Sequence, residues 1–237
     1  MRRLLILLCC VCALVACDSK APPPKLSFAN TDITGSDFGR DFELTDHTGQ
    51  RRSLADYRGK VVALFFGFAQ CPDICPTTLS DLAQVKQQLG ADGDKLQVLF
   101  ITVDPERDTQ EVLAGFVPAF DSSFVALRGD KAAIDKVTKD FKVFAQKVAG
   151  KDGGAYTIDH TAATYVYDTQ GRLRLFVRHG QTLSLVGDVK QLIANGKLNL
   201  SGFITHHRKP SSIDEVYRTA FEDPSCLKMV VDWREAL

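Results

Sequence analysis

The chain has 237 residues, 45% of them apolar and 24% charged, enough for one hydrophobic core with segments left over for targeting and tails. Its 29 basic residues are matched by 29 acidic ones. No basic field invites nucleic acid, and no acidic block marks a solvating tail.

Arg2 and Arg3 precede an unbroken apolar run, Leu4 to Ala16. The run is shorter than the about 20 residues that span a bilayer, and it reads as the apolar region of a secretory signal. Its end, Leu14-Val15-Ala16-Cys17, resembles the lipobox of bacterial lipoproteins. Residues 1–16 are therefore expected to be a signal peptide cleaved before Cys17, with a lipid on that thiol. A plain signal peptide or an uncleaved anchor is the alternative. The expected location is the bacterial cell envelope, at the periplasmic face of the inner membrane, and Asp18 beside Cys17 resembles an inner-membrane retention signal. Cleavage would remove Cys9, Cys10 and Cys12, leaving Cys71, Cys75 and Cys226 as thiols in an oxidising compartment.

Residues 17–37 are polar and contain Pro22-Pro23-Pro24, which favours an extended tether. Patterning of a folded domain begins near Phe38. Phe42-Glu43-Leu44 and Arg52-Ser53-Leu54 look like short strands around the turn Asp46-His47-Thr48-Gly49. Val61 to Phe68 is a β-rich apolar run bounded by Gly59 and a Pro-containing segment, the pattern of a strand buried on both faces. From Thr77 to Leu89 the residues Leu79, Leu82, Val85 and Leu89 recur at helical spacing. Leu96 to Val103 is a second β-rich run, so strand, helix and strand make a βαβ unit with parallel strands. Helices near Thr109–Phe120 and Lys131–Phe141 flank a short strand at Phe124–Leu127. Thr164–Tyr167 and Leu173–Val177 flank Asp168-Thr169-Gln170-Gly171 as a hairpin, and a last helix runs about Leu183–Ile193. A parallel unit followed by an antiparallel hairpin and helix is the thioredoxin-like α/β arrangement, a mixed central sheet flanked by helices. It is expected over 38–200. Residues 201–237, with His206, His207, a short helix near Ile213–Phe221 and Cys226, read as a C-terminal extension and not as a second metal site.

Cys71-Pro72-Asp73-Ile74-Cys75-Pro76 lies where the first buried strand meets its helix. Unpaired N–H groups and the dipole at a helix N-terminus favour thiolates, so two low-pKa thiols are expected there. Pro76 suits the first helical position. Thioredoxin-type oxidoreductases separate their cysteines by two residues, and here there are three. That spacing leaves room for both sulfurs to bind one ion, and soft thiolates with an imidazole suit Cu(I) and Cu(II). Zinc fits by ligand type, but structural zinc takes four protein ligands and three are evident. A structural disulfide would close a loop too small to stabilise much.

His160, in Ile158-Asp159-His160-Thr161, immediately precedes the hairpin strand at Thr164. In a thioredoxin-like sheet the loop entering that strand lies beside the first helix, so His160 is the expected third ligand. The cis-proline that thioredoxins place near this loop has no counterpart, since no proline occurs between Pro118 and Pro210. His47 and His179 read as ordinary surface residues. Asp73 is either a tuning residue between the ligands or a Pro-Asp turn residue. Asp104 reads as a turn cap, and Asp159 as a candidate to orient His160.

Three blocks carry a family resemblance: Phe66-Gly67-Phe68 with Cys71-Pro72-Asp73-Ile74-Cys75-Pro76-Thr77-Thr78-Leu79, Val103-Asp104-Pro105-Glu106-Arg107-Asp108-Thr109, and Asp159-His160-Thr161-Ala162-Ala163. In this order they resemble the Sco/SenC family. The resemblance implies a membrane-attached protein that delivers copper to the binuclear copper site of cytochrome c oxidase, or reduces its cysteines, with copper held by Cys71, Cys75 and His160. The implied partners are the copper-site subunit of the oxidase or another cupredoxin-type protein, and other periplasmic copper carriers. Two alternatives share the fold. One is a thiol–disulfide reductase using Cys71 and Cys75 as a redox pair. The other is a peroxiredoxin-like peroxidase, which lacks its threonine before Cys71.

Overall fold

The computed structural model describes residues 26–150, 155–196, 206–208 and 229–231. In chain order its strands are β1 (Thr31–Asp32), β2 (Leu44–Asp46), β3 (Arg51–Arg52), β4 (Val61–Gly67), β5 (Leu96–Thr102), β6 (Val125–Arg128), β7 (Ala145–Val148), β8 (Thr157–His160), β9 (Ala163–Tyr167), β10 (Leu173–Arg178), β11 (His206–Arg208) and β12 (Met229–Val231). The helices are α1 (Ile74–Gln88), α2 (Gln110–Phe116), α3 (Lys131–Asp140) and α4 (Leu185–Gly196).

Every residue of β4 and β5 is buried, which is why both read as unbroken apolar runs. They pair in parallel, β5 pairs in parallel with β6, and β9 joins the other side of β4 in antiparallel register. The full order is β1-β10-β9-β4-β5-β6-β2-β3. This is the mixed sheet of the expected thioredoxin-like fold. Alternation along β4 splits the core in two. Val61, Ala63 and Phe65 face α1 and α4 through Leu79, Leu82, Val189 and Leu192. Val62, Leu64 and Phe66 face α3 through Ile134 and Val137, with Phe141 behind them.

Several expected boundaries move, each for a local reason. The second helix stops at Phe116 and continues only as a 3-10 turn over Val117–Ala119, because Pro118 has no N–H with which to continue the helical hydrogen-bond ladder. The first short strand is Leu44–Asp46 and not Phe42–Leu44. Asp46 accepts from the N–H groups of Thr48 and Gln50 and from Arg52, closing the turn around its own carboxylate. β7 and β8 form a separate two-stranded ribbon that sequence patterning does not reveal, because all four residues of β7 are exposed.

Packing starts before Phe38, inside the stretch read as tether. β1 pairs with β10, and buried Asp188 on α4 accepts from Ala29 N–H at 2.8 Å, Asn30 N–H at 3.1 Å and Asn30 Nδ2 at 2.8 Å. The signal segment, Cys17, Cys226 and the helix expected near Ile213–Phe221 lie outside the described residues. The backbone of His206–Arg208 pairs in parallel with Met229–Val231. Asp188→Ala would leave three donors without their acceptor, and a donor left unsatisfied in a buried place costs about 1–3 kcal/mol. The expected result is a lower urea midpoint; an unchanged midpoint would show that the 26–32 segment is not fastened by this carboxylate.

Candidate metal centre

The antiparallel register of β9 on β4 matches Phe65 with Thr164. That register aims the residues before β9 at the segment that follows β4. α1 starts at Ile74, just beyond that end of β4, so the sheet delivers His160 to the two cysteines from 85 residues away in sequence. Cys71, Cys75 and His160 meet there, with their ligand atoms all within 4.8 Å of one another. His160 is the last residue of β8 and not part of a loop.

α1 begins three residues earlier than the apolar spacing implies. Asp73 is its N-cap, Cys75 sits in its first turn, and Pro76 is its third residue and not its first. Proline is tolerated there because none of the first-turn N–H groups has a partner inside the helix. The Cys75 N–H points instead at Cys71 Sγ, 3.4 Å away. Asp73 itself is exposed and accepts from the Thr77 hydroxyl at 3.4 Å.

The expectation of two low-pKa thiols fails at Cys75. The side chain is fully buried, and burial pushes its pKa far above the ordinary cysteine value. The hydrogen bond with Cys71 adds to the rise, and a backbone bond from Phe68 opposes it only in part. Desolvation outweighs the helix terminus here because the sulfur lies under the sheet end, where little water can reach it. Cys71 is half-buried, and both cysteines are free thiols.

His160 is held between two aromatic walls, edge-on to Phe65 at 6.1 Å and to Phe68 at 5.9 Å between ring centres. Its Nδ1 lies 3.2 Å from the Thr161 carbonyl, which only accepts, so Nδ1 carries the proton. Nε2 keeps its lone pair and faces Cys75 Sγ at 3.5 Å. Burial lowers the imidazole pKa, partly offset by the Thr161 carbonyl, which disfavours the protonated ring. Asp159 does not orient it: successive strand residues point to opposite faces, and Asp159 is exposed opposite Gln146 on the ribbon.

Other residues support the centre without an obvious sequence signal. Buried Asp108 accepts from the Ala69 N–H at 3.0 Å and from the Thr102 hydroxyl at 2.6 Å, fixing the chain before Cys71. Asp104 caps no turn with its side chain but binds Arg107 and Tyr156. Gly67 is required by close approach: a Cβ there would lie 2.7 Å from Cys75 Sγ and 2.8 Å from the Phe100 ring. His47 and His179 are also tied in. His47 Nδ1 accepts from the Ala126 N–H at 3.1 Å, and His179 Nδ1 meets the Thr78 hydroxyl at 3.2 Å, one turn beyond Cys75.

Two sulfurs and one imidazole nitrogen form a soft donor set that suits copper, and the thiol pair is also a redox pair in waiting. Comparison with known proteins points the same way. The SCO1/SenC family model matches residues 30–194. The chain is 41% identical over 133 residues to the mitochondrial protein SCO2 homolog of Danio rerio, covering 55% of this chain and 48% of that one. It is 38% identical over 135 residues to an SCO2-like protein of Rickettsia felis, covering 56% and 66%. The solved structure of Bradyrhizobium japonicum ScoI with copper bound is 38% identical with a TM-score of 0.60, covering 65% of this chain and 99% of that one. The matched segments thus span about half to two thirds of the length of these curated relatives.

Unequal burial gives a direct check. Iodoacetamide should modify Cys71 well before Cys75 in the native, metal-free protein, read by mass spectrometry of the digested chain; equal rates would contradict the fully buried Cys75. Gly67→Ala should cost about 1–3 kcal/mol of stability by overpacking and speed the modification of Cys75, the sulfur it displaces.

Proposed function

Because the chain belongs to the SCO1/SenC family, we propose that it is a copper chaperone that serves assembly of the copper site of cytochrome c oxidase, carrying copper on Cys71, Cys75 and His160. The observation that carries this reading is the convergence of two sulfurs and a lone-paired imidazole nitrogen within 4.8 Å. Copper is cargo here. Two thiolates suffice for Cu(I), and the imidazole extends the site to Cu(II). Three protein ligands, with Cys71 on the partly exposed side, leave an open flank from which a partner's own ligands displace them one at a time. The neutral His160 and the Thr161 carbonyl fix which nitrogen is offered.

The oxidase subunit or another cupredoxin-type protein is the proposed recipient, and periplasmic copper carriers are the proposed donors. The lipobox-like end at Cys17 supports a lipid-anchored protein at the outer face of the bacterial inner membrane. Residues 1–16 would be its signal, and the segment after Cys17 a tether to the domain. The exposure of Asp73 and Asp159 beside ligand-bearing segments supports a part in meeting such a partner.

One observation favours a second reading, thiol–disulfide reduction: the unequal exposure of the cysteines suits Cys71 as attacker and Cys75 as resolver. The Cys71 sulfur would attack a partner disulfide, form a mixed disulfide and release one partner thiolate. Cys75, after losing its proton, would attack the Cys71 sulfur. The products are a Cys71–Cys75 disulfide and a partner dithiol, two electrons having passed to the partner.

His160→Ala separates the two. It should weaken Cu(II) binding by more than about a hundredfold, since losing a ligand costs more than losing a residue that only orients one, while leaving the Cys71–Cys75 disulfide able to form. Unchanged Cu(II) affinity would overturn the three-ligand site. The pH dependence has a defined sign. Burial keeps Cys75 protonated at neutral pH, so metal binding must release that proton, and affinity should rise with pH by about tenfold per unit for each proton displaced. The lowered pKa of His160 keeps the imidazole available below its ordinary value of about 6.5, so its loss as a ligand should set in only in more acid solution. Competition titrations against a chromophoric chelator from pH 5 to 8 read both effects.

A further inference from the structure

The loop from β5 to α2 carries one side chain that touches both the segment before Cys71 and the segment before β8. We propose that Arg107 is a positioning residue that sets the distance between the cysteine loop and His160, and so the fit of the site to Cu(II). The proposal rests on the copper reading above.

Arg107 is mostly buried, with its side chain 17% exposed. Its Nε is paired with Asp104, whose side chain is fully buried and whose second oxygen accepts from the Tyr156 hydroxyl at 2.9 Å. Its Nη1 donates to the Tyr156 carbonyl at 2.8 Å and to Gln70 Oε1 at 3.1 Å. The guanidinium lies 3.7 Å from the centre of the Tyr156 ring and 5.7 Å from that of Phe68. Gln70 is the neighbour of Cys71, Phe68 is one wall of the His160 ring, and Tyr156 is the residue that leads into β8. One planar cation therefore ties the cysteine side to the histidine side by two hydrogen bonds and two ring contacts.

The tie matters because β8 is not part of the main sheet. It pairs only with β7 in the two-stranded ribbon, so the register of β9 aims it at the cysteines but side chains set how closely it seats over them. Lys147 of β7 pairs with Glu106 at 2.6 Å and lies 4.6 Å from the Tyr156 ring, but it is exposed and does not reach the cysteine loop. Arg107 does. A lysine would keep the charge but not the fork that bonds Asp104, Gln70 and Tyr156 together.

The test is a double-mutant cycle in the full chain, with Cu(II) and Cu(I) affinities measured by chelator competition for wild type, Arg107→Ala, His160→Ala and the double variant. Arg107→Ala should weaken Cu(II) binding about tenfold or more, as for residues that orient a ligand, and shift the sulfur-to-copper absorption band. Its effect should largely vanish when His160 is already absent, and Cu(I) held by the thiol pair should change by less than about threefold. If Arg107→Ala does not fold by circular dichroism, Arg107→Lys and Gln70→Ala replace it in the same cycle, with the same coupling expected. No loss of Cu(II) affinity, or an equal loss with and without His160, overturns the role of Arg107 alone. Cu(II) affinity that does not depend on His160 in the wild-type background overturns the three-ligand site and this proposal with it.

Discussion

The antiparallel pairing of β9 with β4 is the constraint on which the rest of this centre depends. β4 ends at Gly67, where the cysteine loop and α1 begin, and the register fixed by Phe65 opposite Thr164 aims the residues that precede β9 at that same point. No local force holds a histidine near two cysteines so distant in sequence. The sheet does it, through a core in which β4 and β5 are buried along their whole length. The ligand geometry is therefore as rigid as the middle of the sheet on the cysteine side. On the histidine side it depends on how the β7–β8 ribbon is seated.

Burial has two opposed consequences at this point. It disfavours protonation of His160, which leaves the Nε2 lone pair for a metal and favours binding. It also holds Cys75 in its thiol form, which opposes binding until a metal displaces the proton. The positive end of α1 does not reverse this, because a fully buried sulfur loses more from missing water than it gains from a first-turn dipole. A site with one buried and one half-buried sulfur can hold a soft cation firmly and still present it from one side.

The main elements are legible in the sequence because their causes are local or periodic. The all-apolar runs of β4 and β5, the spacing of Leu79, Leu82 and Val85 on α1, and the turn at Asp168-Thr169-Gln170-Gly171 all state their structure in residue type and spacing. The ligand trio is legible as well, since strand order alone places residue 160 near the cysteines. What stays hidden depends on tertiary contact. β7 has four exposed residues and no alternation, so its pairing with β8 leaves no pattern. The strap over 26–32 reads as linker because its partner, Asp188, lies on a distant helix. The Cys75 thiol is misjudged from sequence because a helix terminus is visible there and the depth of burial beneath it is not. Arg107 stands out in sequence only as part of a block, since its reach to Gln70, Tyr156 and Asp104 requires three loops to be placed together.

The most direct test of the centre is X-ray absorption spectroscopy at the copper edge on the full chain loaded with one equivalent of Cu(II). Two sulfur scatterers and a histidine nitrogen in the same copper shell are expected, with the imidazole signature lost in His160→Ala. A shell of nitrogen and oxygen alone, or one in which His160→Ala changes nothing, would contradict the assignment of Cys71, Cys75 and His160 as a single copper site.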